Sequence, residues 1–219
     1  MLKYLFCDFD GVILYSEPLY QKFWIEACQE NGFSLSIEQE LPLRSRDHQL
    51  TEKYFHELFG EKAIYEEIVT SRKRLMNEYL NTHQIPLKDG VLPFLKYVKE
   101  ETNIKIAIVT SSSEEYVQLH GGYNQILPYI DEIISARNVK RGKPFPYVYQ
   151  EAIKKAQIRE DEVLVLEDSS NGVIAAYEAG LRVIFVEDLS PVDEQIKKMS
   201  VEQIKNTMEM IPIIEKYNK

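Results

Sequence analysis

The chain has 219 residues, 44% of them hydrophobic, and a formal net charge of −9. That is enough apolar material for one sizeable core, or for a core with an insertion. The acidic balance argues against a nucleic-acid surface, which needs a basic footprint, and no apolar run approaches the ~20 residues needed to cross a bilayer. Two cysteines, Cys7 and Cys28, make no disulfide framework. The N-terminal apolar run meets acids at once and lacks a small-residue cleavage site, so no signal peptide is expected and a cytoplasmic location is.

Taken along the chain, five short apolar runs read as buried parallel strands: Leu2–Cys7, Lys105–Val109, Glu132–Ser135, Val163–Leu166 and Val183–Val186. Helical patterns lie between them at Val91–Glu101, Ser113–His120, Pro146–Ala156 and Gly172–Ala179. Strands alternating with helices predict an α/β fold, a doubly wound, Rossmann-like parallel sheet.

The alternation fails from about Tyr15 to Gln84, where the patterns are helical throughout. In "PLYQKFWIEACQENG", Leu19, Phe23 and Ala27 share a face and Asn31-Gly32 is a stop. About 70 helical residues after the first strand exceed an ordinary connection. They predict a helical cap, residues 15–87, inserted into a catalytic core made of residues 1–14 and 88–219. The basic cluster Arg72-Lys73-Arg74 lies among acids and reads as a solvated helix face.

In such sheets ligands bind beyond the carboxyl ends of the strands. Strand one ends in Asp8-Phe9-Asp10-Gly11, the second in Thr110-Ser111-Ser112-Ser113, and the fourth in Glu167-Asp168-Ser169; Lys143 follows the third. Side chains two apart on a strand point the same way, which sends Asp8 and Asp10 to one pocket. Four carboxylates crowded at one edge repel, and a Mg²⁺ ion, a hard cation that takes carboxylate oxygens, removes the conflict and bridges to phosphate. Lys143, the Thr110 and Ser111 hydroxyls and nearby backbone N–H groups supply positive charge and donors for a phosphoryl group. A carboxylate beside the metal is able to act as a nucleophile.

The stretches "DFDGVILYSEP", "IVTSSS", "RGKPFP" and "VLEDSSNGVIAAYEAGL" resemble the four motifs of the haloacid dehalogenase superfamily. More narrowly, they resemble its helical-cap subgroup of β-phosphoglucomutases and small-metabolite phosphatases. The resemblance implies that Asp8 takes the phosphoryl group as an aspartyl-phosphate. Asp10 would be general acid and then base. Thr110, Ser111 and Lys143 would hold the phosphate, and Asp8, the backbone carbonyl of Asp10, Glu167 and Asp168 would bind Mg²⁺. Members that cleave carbon–halogen bonds lack the second aspartate, so Asp10 implies phosphoryl transfer.

Three rim positions depart from the family pattern. Tyr15 and Tyr20 stand where an Asp and a His are usual, and Tyr147 replaces an Asp. The cap segment "LPLRSRDHQL" resembles the substrate loop of β-phosphoglucomutase-like proteins, Arg46 matching its arginine and Pro42-Leu43 replacing a Lys-Gly pair. Tyr20, Arg46 and His48 are the expected specificity residues. Arg44 and Arg46 are able to meet a second anionic group on a substrate or to make surface ion pairs with acids such as Asp47, and Arg44 reads as the surface pair. The expected activity is hydrolysis of a small phosphorylated metabolite, a sugar phosphate first, by a monomer. The alternative is a phosphohexomutase. A signalling receiver domain is about half this length and has no cap, and a silent phosphate-binding protein would not need every one of these groups.

Overall fold

The computed structural model describes residues 1–189 and 194–218. Six parallel strands form one sheet in the order β3-β2-β1-β4-β5-β6, with β1 Tyr4–Cys7, β2 Lys105–Thr110, β3 Glu132–Ser135, β4 Val163–Glu167, β5 Arg182–Val186 and β6 Ser200–Ile204. In register, Tyr4 lies beside Lys105 on one side and Val163 on the other, so β1 is central. The chain reverses winding direction at β1, and its carboxyl end opens onto the crevice where such sheets bind ligands. The fold is the predicted doubly wound, Rossmann-like parallel sheet. β6 lies beyond the five expected strands; its exposed, alternating residues mark it as an edge strand rather than an apolar run.

Between β1 and β2 come α1 Glu17–Glu30, α2 Ile37–Glu40, α3 His48–Phe59, α4 Tyr65–Leu80 and α5 Val91–Glu101. The remaining helices are α6 Glu114–Tyr123, α7 Tyr147–Ala156, α8 Ser170–Glu178, α9 Glu194–Met199 and α10 Met210–Asn218. Strand periodicity splits the sheet residues between two cores. Leu5, Cys7, Ile108 and Leu166 meet Phe94 of α5 and Val117 of α6 on one face. On the other, Phe6, Val109 and Val165 meet Tyr149 of α7 and Val173 of α8.

The helices α1, α3 and α4 bury their own core, centred on Trp24, Phe55, Tyr65 and Ile68. Phe55 is fully buried, and truncating such a side chain to alanine typically costs about 3–5 kcal/mol. α1 stops at Asn31, and Gly32 follows in the left-handed region at φ 81°. The two strands of chain that join this helical layer to the sheet run side by side. Leu14 pairs antiparallel with Leu87, Tyr15 N–H donates to Pro86 O at 2.9 Å, and Lys88 N–H donates to Ile13 O at 2.9 Å.

Candidate active site

β1 ends at Cys7 and the chain turns at Gly11, whose φ of 75° suits glycine. A side chain at Gly11 would run into the Asp168 carboxylate, and one at Gly172 into that of Glu167. The backbone after β1 thus lies against the Asp168 side chain and that of α8 against Glu167, and acids from the ends of β1 and β4 gather in one cluster. Asp8, Glu167 and Asp168 place carboxylate oxygens within 4.8 Å of one another, all buried.

Lys143 is fully buried against them. Its Nζ lies 3.2 Å from Asp8 Oδ1 and donates to Glu167 Oε1 at 2.5 Å and to Val109 O at 3.1 Å. Burial works against the ammonium, but Asp8 and Glu167 outweigh it and its pKa is raised. Glu167 Oε1 also accepts from Tyr149 OH at 2.6 Å. Burial, relieved in part by Lys143, leaves the Glu167 carboxyl at about 7. Both oxygens of Asp168 are buried without a hydrogen-bond donor. Burial, then repulsion from Glu17, Glu167 and Asp8, holds its carboxyl well above the usual range. A buried acid with no donor fits a cation: the oxygen-only donor set and orphaned Asp168 suit a hard ion such as Mg²⁺.

Asp10 shares a chamber with Asp8, but its carboxylate turns elsewhere. Oδ2 accepts from Ser112 Oγ at 2.6 Å and Oδ1 from Tyr116 OH at 3.2 Å. Burial raises its pKa against the pull of Ser112 and Ser16. Its side chain lies outside the Asp8–Glu167–Asp168 group. Thr110 is buried on the chamber wall, its Oγ1 accepting from Ser112 N–H at 3.1 Å. Ser111 lines the same chamber and donates from Oγ to Ser45 O at 3.2 Å.

The loop between α2 and α3 sits directly on these groups. Ser45, at φ 51°, donates from Oγ to Asp8 Oδ2 at 3.3 Å. Asn171 Nδ2 donates to Arg44 O at 2.7 Å, and Asp47 N–H donates to Lys143 O at 2.6 Å. Asp47 caps α3 and accepts from Arg141 at 3.0 Å and Gly142 N–H at 3.0 Å.

Several expected rim roles change. Asp47 is committed to Arg141 and leaves Arg46 without it; Arg46 instead lies over the Tyr54 ring at 5.0 Å and lines the chamber. Arg44 is buried rather than at the surface, with Glu17 at 3.3 Å and Glu40 at 3.2 Å. Tyr20 does face the chamber, near Asp10. His48 is exposed, 3.3 Å from Glu66, and lines only the outer space described below. Tyr15 is exposed.

The basic run is not uniformly a solvated face. Arg74 is, held by Glu30 and Glu78. Arg72 is not: its guanidinium lies 4.6 Å from the Trp24 ring and 5.4 Å from that of Tyr20, on the chamber wall. The signal for this was in the spacing. Residues 65, 68, 69, 72 and 76 form one helical stripe, and the other four are buried.

The profile of the haloacid dehalogenase-like hydrolases matches residues 4–186. The chain belongs to this family. A phosphorylated carbohydrates phosphatase of Thermotoga maritima is 27% identical over 189 residues, covering 81% of this chain and 82% of the relative. Hexitol phosphatase A of Escherichia coli is 26% identical over 212 residues, 96% and 94% of the two chains. Among solved structures, a β-phosphoglucomutase-like protein of Bacteroides vulgatus superposes with a TM-score of 0.82 at 24% identity, covering 99% of this chain and 89% of the other. The chain is a phosphatase-type enzyme of this family.

Proposed function

We propose that the chain is a Mg²⁺-dependent phosphatase of a small phosphorylated metabolite, a sugar phosphate first, working through an aspartyl-phosphate on Asp8. The observation that carries it is the Asp8 carboxylate, buried beside Lys143 at the end of the central strand with Asp10 in the same chamber. Names of relatives add the substrate class: phosphorylated carbohydrates and hexitol phosphates.

An Asp8 oxygen attacks phosphorus and the bond to the leaving oxygen breaks, while protonated Asp10 gives that oxygen its proton. Asp10, now ionised, takes a proton from water, which attacks the phosphorus of the acyl-phosphate. Inorganic phosphate leaves and the Asp8 carboxylate is regenerated. Lys143, Thr110 and Ser111 bind the phosphoryl oxygens. Asp8, Asp168, Glu167 and the Asp10 carbonyl would hold Mg²⁺, which would supply charge neutralisation for the crowded acids and Lewis acidity toward phosphate. Glu167 also fixes Lys143.

Residues 15–87 form the cap and residues 1–14 with 88–219 the catalytic core in this reading. The expected oligomeric state in this reading is a monomer. No helix among the described residues is long and apolar enough to cross a membrane, and Cys7 and Cys28 are free and buried, which supports a cytoplasmic location. The mutase reading gains from the fold likeness but loses to the phosphatase names and to Tyr20 and Pro42-Leu43.

The test is phosphate release from a panel of sugar phosphates with Mg²⁺, alongside conversion of β-glucose 1-phosphate to the 6-phosphate. Isomerisation without net phosphate release would replace the phosphatase reading with the mutase one. Asp8→Asn is expected to lose at least about four orders of magnitude in rate.

A further inference from the structure

The chamber holding Asp8 and Asp10 has a volume of about 160 Å³, below the ~300–1,000 Å³ of common small-molecule sites. A second space of about 340 Å³ adjoins it, and the two share Trp24, Leu43, Arg46, Arg72, Ser111 and Arg137 as walls. A phosphoryl group fits the inner chamber, and the rest of a sugar-sized substrate extends into the outer one.

The outer chamber has an unusual charge for a chain of net charge −9. Arg72 and Lys73 of α4 line it from the helical layer, and Arg137, Lys140 and Arg141 from the β3–α7 segment of the sheet layer. Among the described residues lining it, Asp47 is the sole carboxylate, and Arg141 and Gly142 N–H already occupy it. The Arg72 Nε is buried with no acceptor. Like charges facing one another across an opening repel, and an anion between them turns that repulsion into attraction.

We propose that the outer chamber binds a second anionic group, carried at the end of the substrate remote from the phosphoryl group, and held by Arg72, Arg137 and Lys140. The preferred substrate is then a phosphorylated metabolite with a phosphoryl or carboxylate group at its far end, and the plain monophosphates are poorer. Guanidinium groups recognise both anions through paired N–H donors. The inference rests on the phosphatase reading for the phosphoryl end only.

Binding by calorimetry with Mg²⁺ tests it, using phosphonates that cannot be hydrolysed: simple alkylphosphonates against α,ω-bisphosphonates and ω-phosphonocarboxylates of increasing chain length. The two-anion series is expected to bind about tenfold tighter or more at its best length, the scale of one charge-assisted hydrogen bond. The advantage is expected to vanish in the Arg137→Gln/Lys140→Gln double variant, whose sites are exposed, and to persist in the Lys205→Gln/Lys216→Gln double variant, which makes the same change in net charge away from both chambers. A stronger bisphosphonate series identifies the far group as phosphoryl, and a stronger phosphonocarboxylate series as carboxylate. Equal affinity of one- and two-anion probes, no binding by either, or an advantage that survives in the double variant overturns the proposal. Because the probes are inert, this result is read independently of whether the chain releases phosphate from any ester.

Discussion

Lys143 Nζ and Asp8 Oδ1 stand 3.2 Å apart with neither side chain open to solvent. The ammonium holds two acids from different strands, since Glu167 shares it. Lys143→Met leaves both without a counter-charge. Breaking a buried pair in this way costs about 3–5 kcal/mol. Chemical denaturation of cation-free protein is expected to show that loss above neutral pH, and a smaller one in acid, where Glu167 takes up a proton.

The acid cluster also gives stability a pH dependence of definite sign. In the fold Glu167 titrates at about 7 against an ordinary 4.5, so the folded chain binds that proton more tightly than the unfolded one. Its contribution is fully present below about pH 4.5 and is lost as pH rises through about 7. The gap, at about 1.4 kcal/mol per pH unit, is worth about 3 kcal/mol. Asp168, also raised, acts in the same direction. Denaturation midpoints without divalent ions are expected to fall across this window, less so in Glu167→Gln, and Mg²⁺ is expected to restore them. A flat profile without metal would contradict the burial of uncompensated acids.

Asp10 is oriented by two hydroxyls from the segment after β2. Removing either, by Ser112→Ala or Tyr116→Phe, leaves the carboxylate free to rotate away from the leaving oxygen. Each change is expected to lower kcat about tenfold with KM little altered, as for a contact used mainly in the transition state. Tyr116→Phe keeps the edge contact with the Phe9 ring at 6.1 Å, so its folding stability should stay close to wild type.

Gly11→Ala probes the contact between the strand ends. At φ 75° an L side chain costs about 1–2 kcal/mol, and its Cβ would occupy the space of the Asp168 carboxylate. Thermal denaturation should register the strain. A magnesium titration should show weaker binding, because Asp168 has to move.

The strand-end groups were legible because a parallel sheet with short buried strands puts its chemistry at predictable chain positions. Asp8, Thr110 and Asp168 each close an apolar run, Lys143 comes on the segment after the third strand, and the sheet order brings them together. Ser45 and Arg72 were hidden for a different reason. Ser45 acts across the boundary between the helical layer and the sheet, and Arg72 packs on rings of another helix, so local pattern carries their partners poorly. Arg72 sits at a buried stripe position, but its charge and basic neighbours favoured a solvated reading. Arg44 is hidden in the same way, since Glu17 of α1 becomes its partner only once α1 and α2 fold against each other. β6 escaped because an edge strand with one wet face lacks the apolar run that marks its neighbours.

The ladder between Leu14 and Leu87 brings the two ends of the helical insertion together. Seen from the sheet, the 72 residues between them leave and rejoin the chain at one place, and their loop between α2 and α3 folds back onto the strand ends. A tight turn joining Leu14 to Leu87 would close the core chain without moving any strand. The same geometry makes the branch a cassette: another insertion with matching ends splices onto the same stem. The strand-end groups are then able to stay in place while the branch above them changes, with Ser45 on Asp8 the contact to be kept.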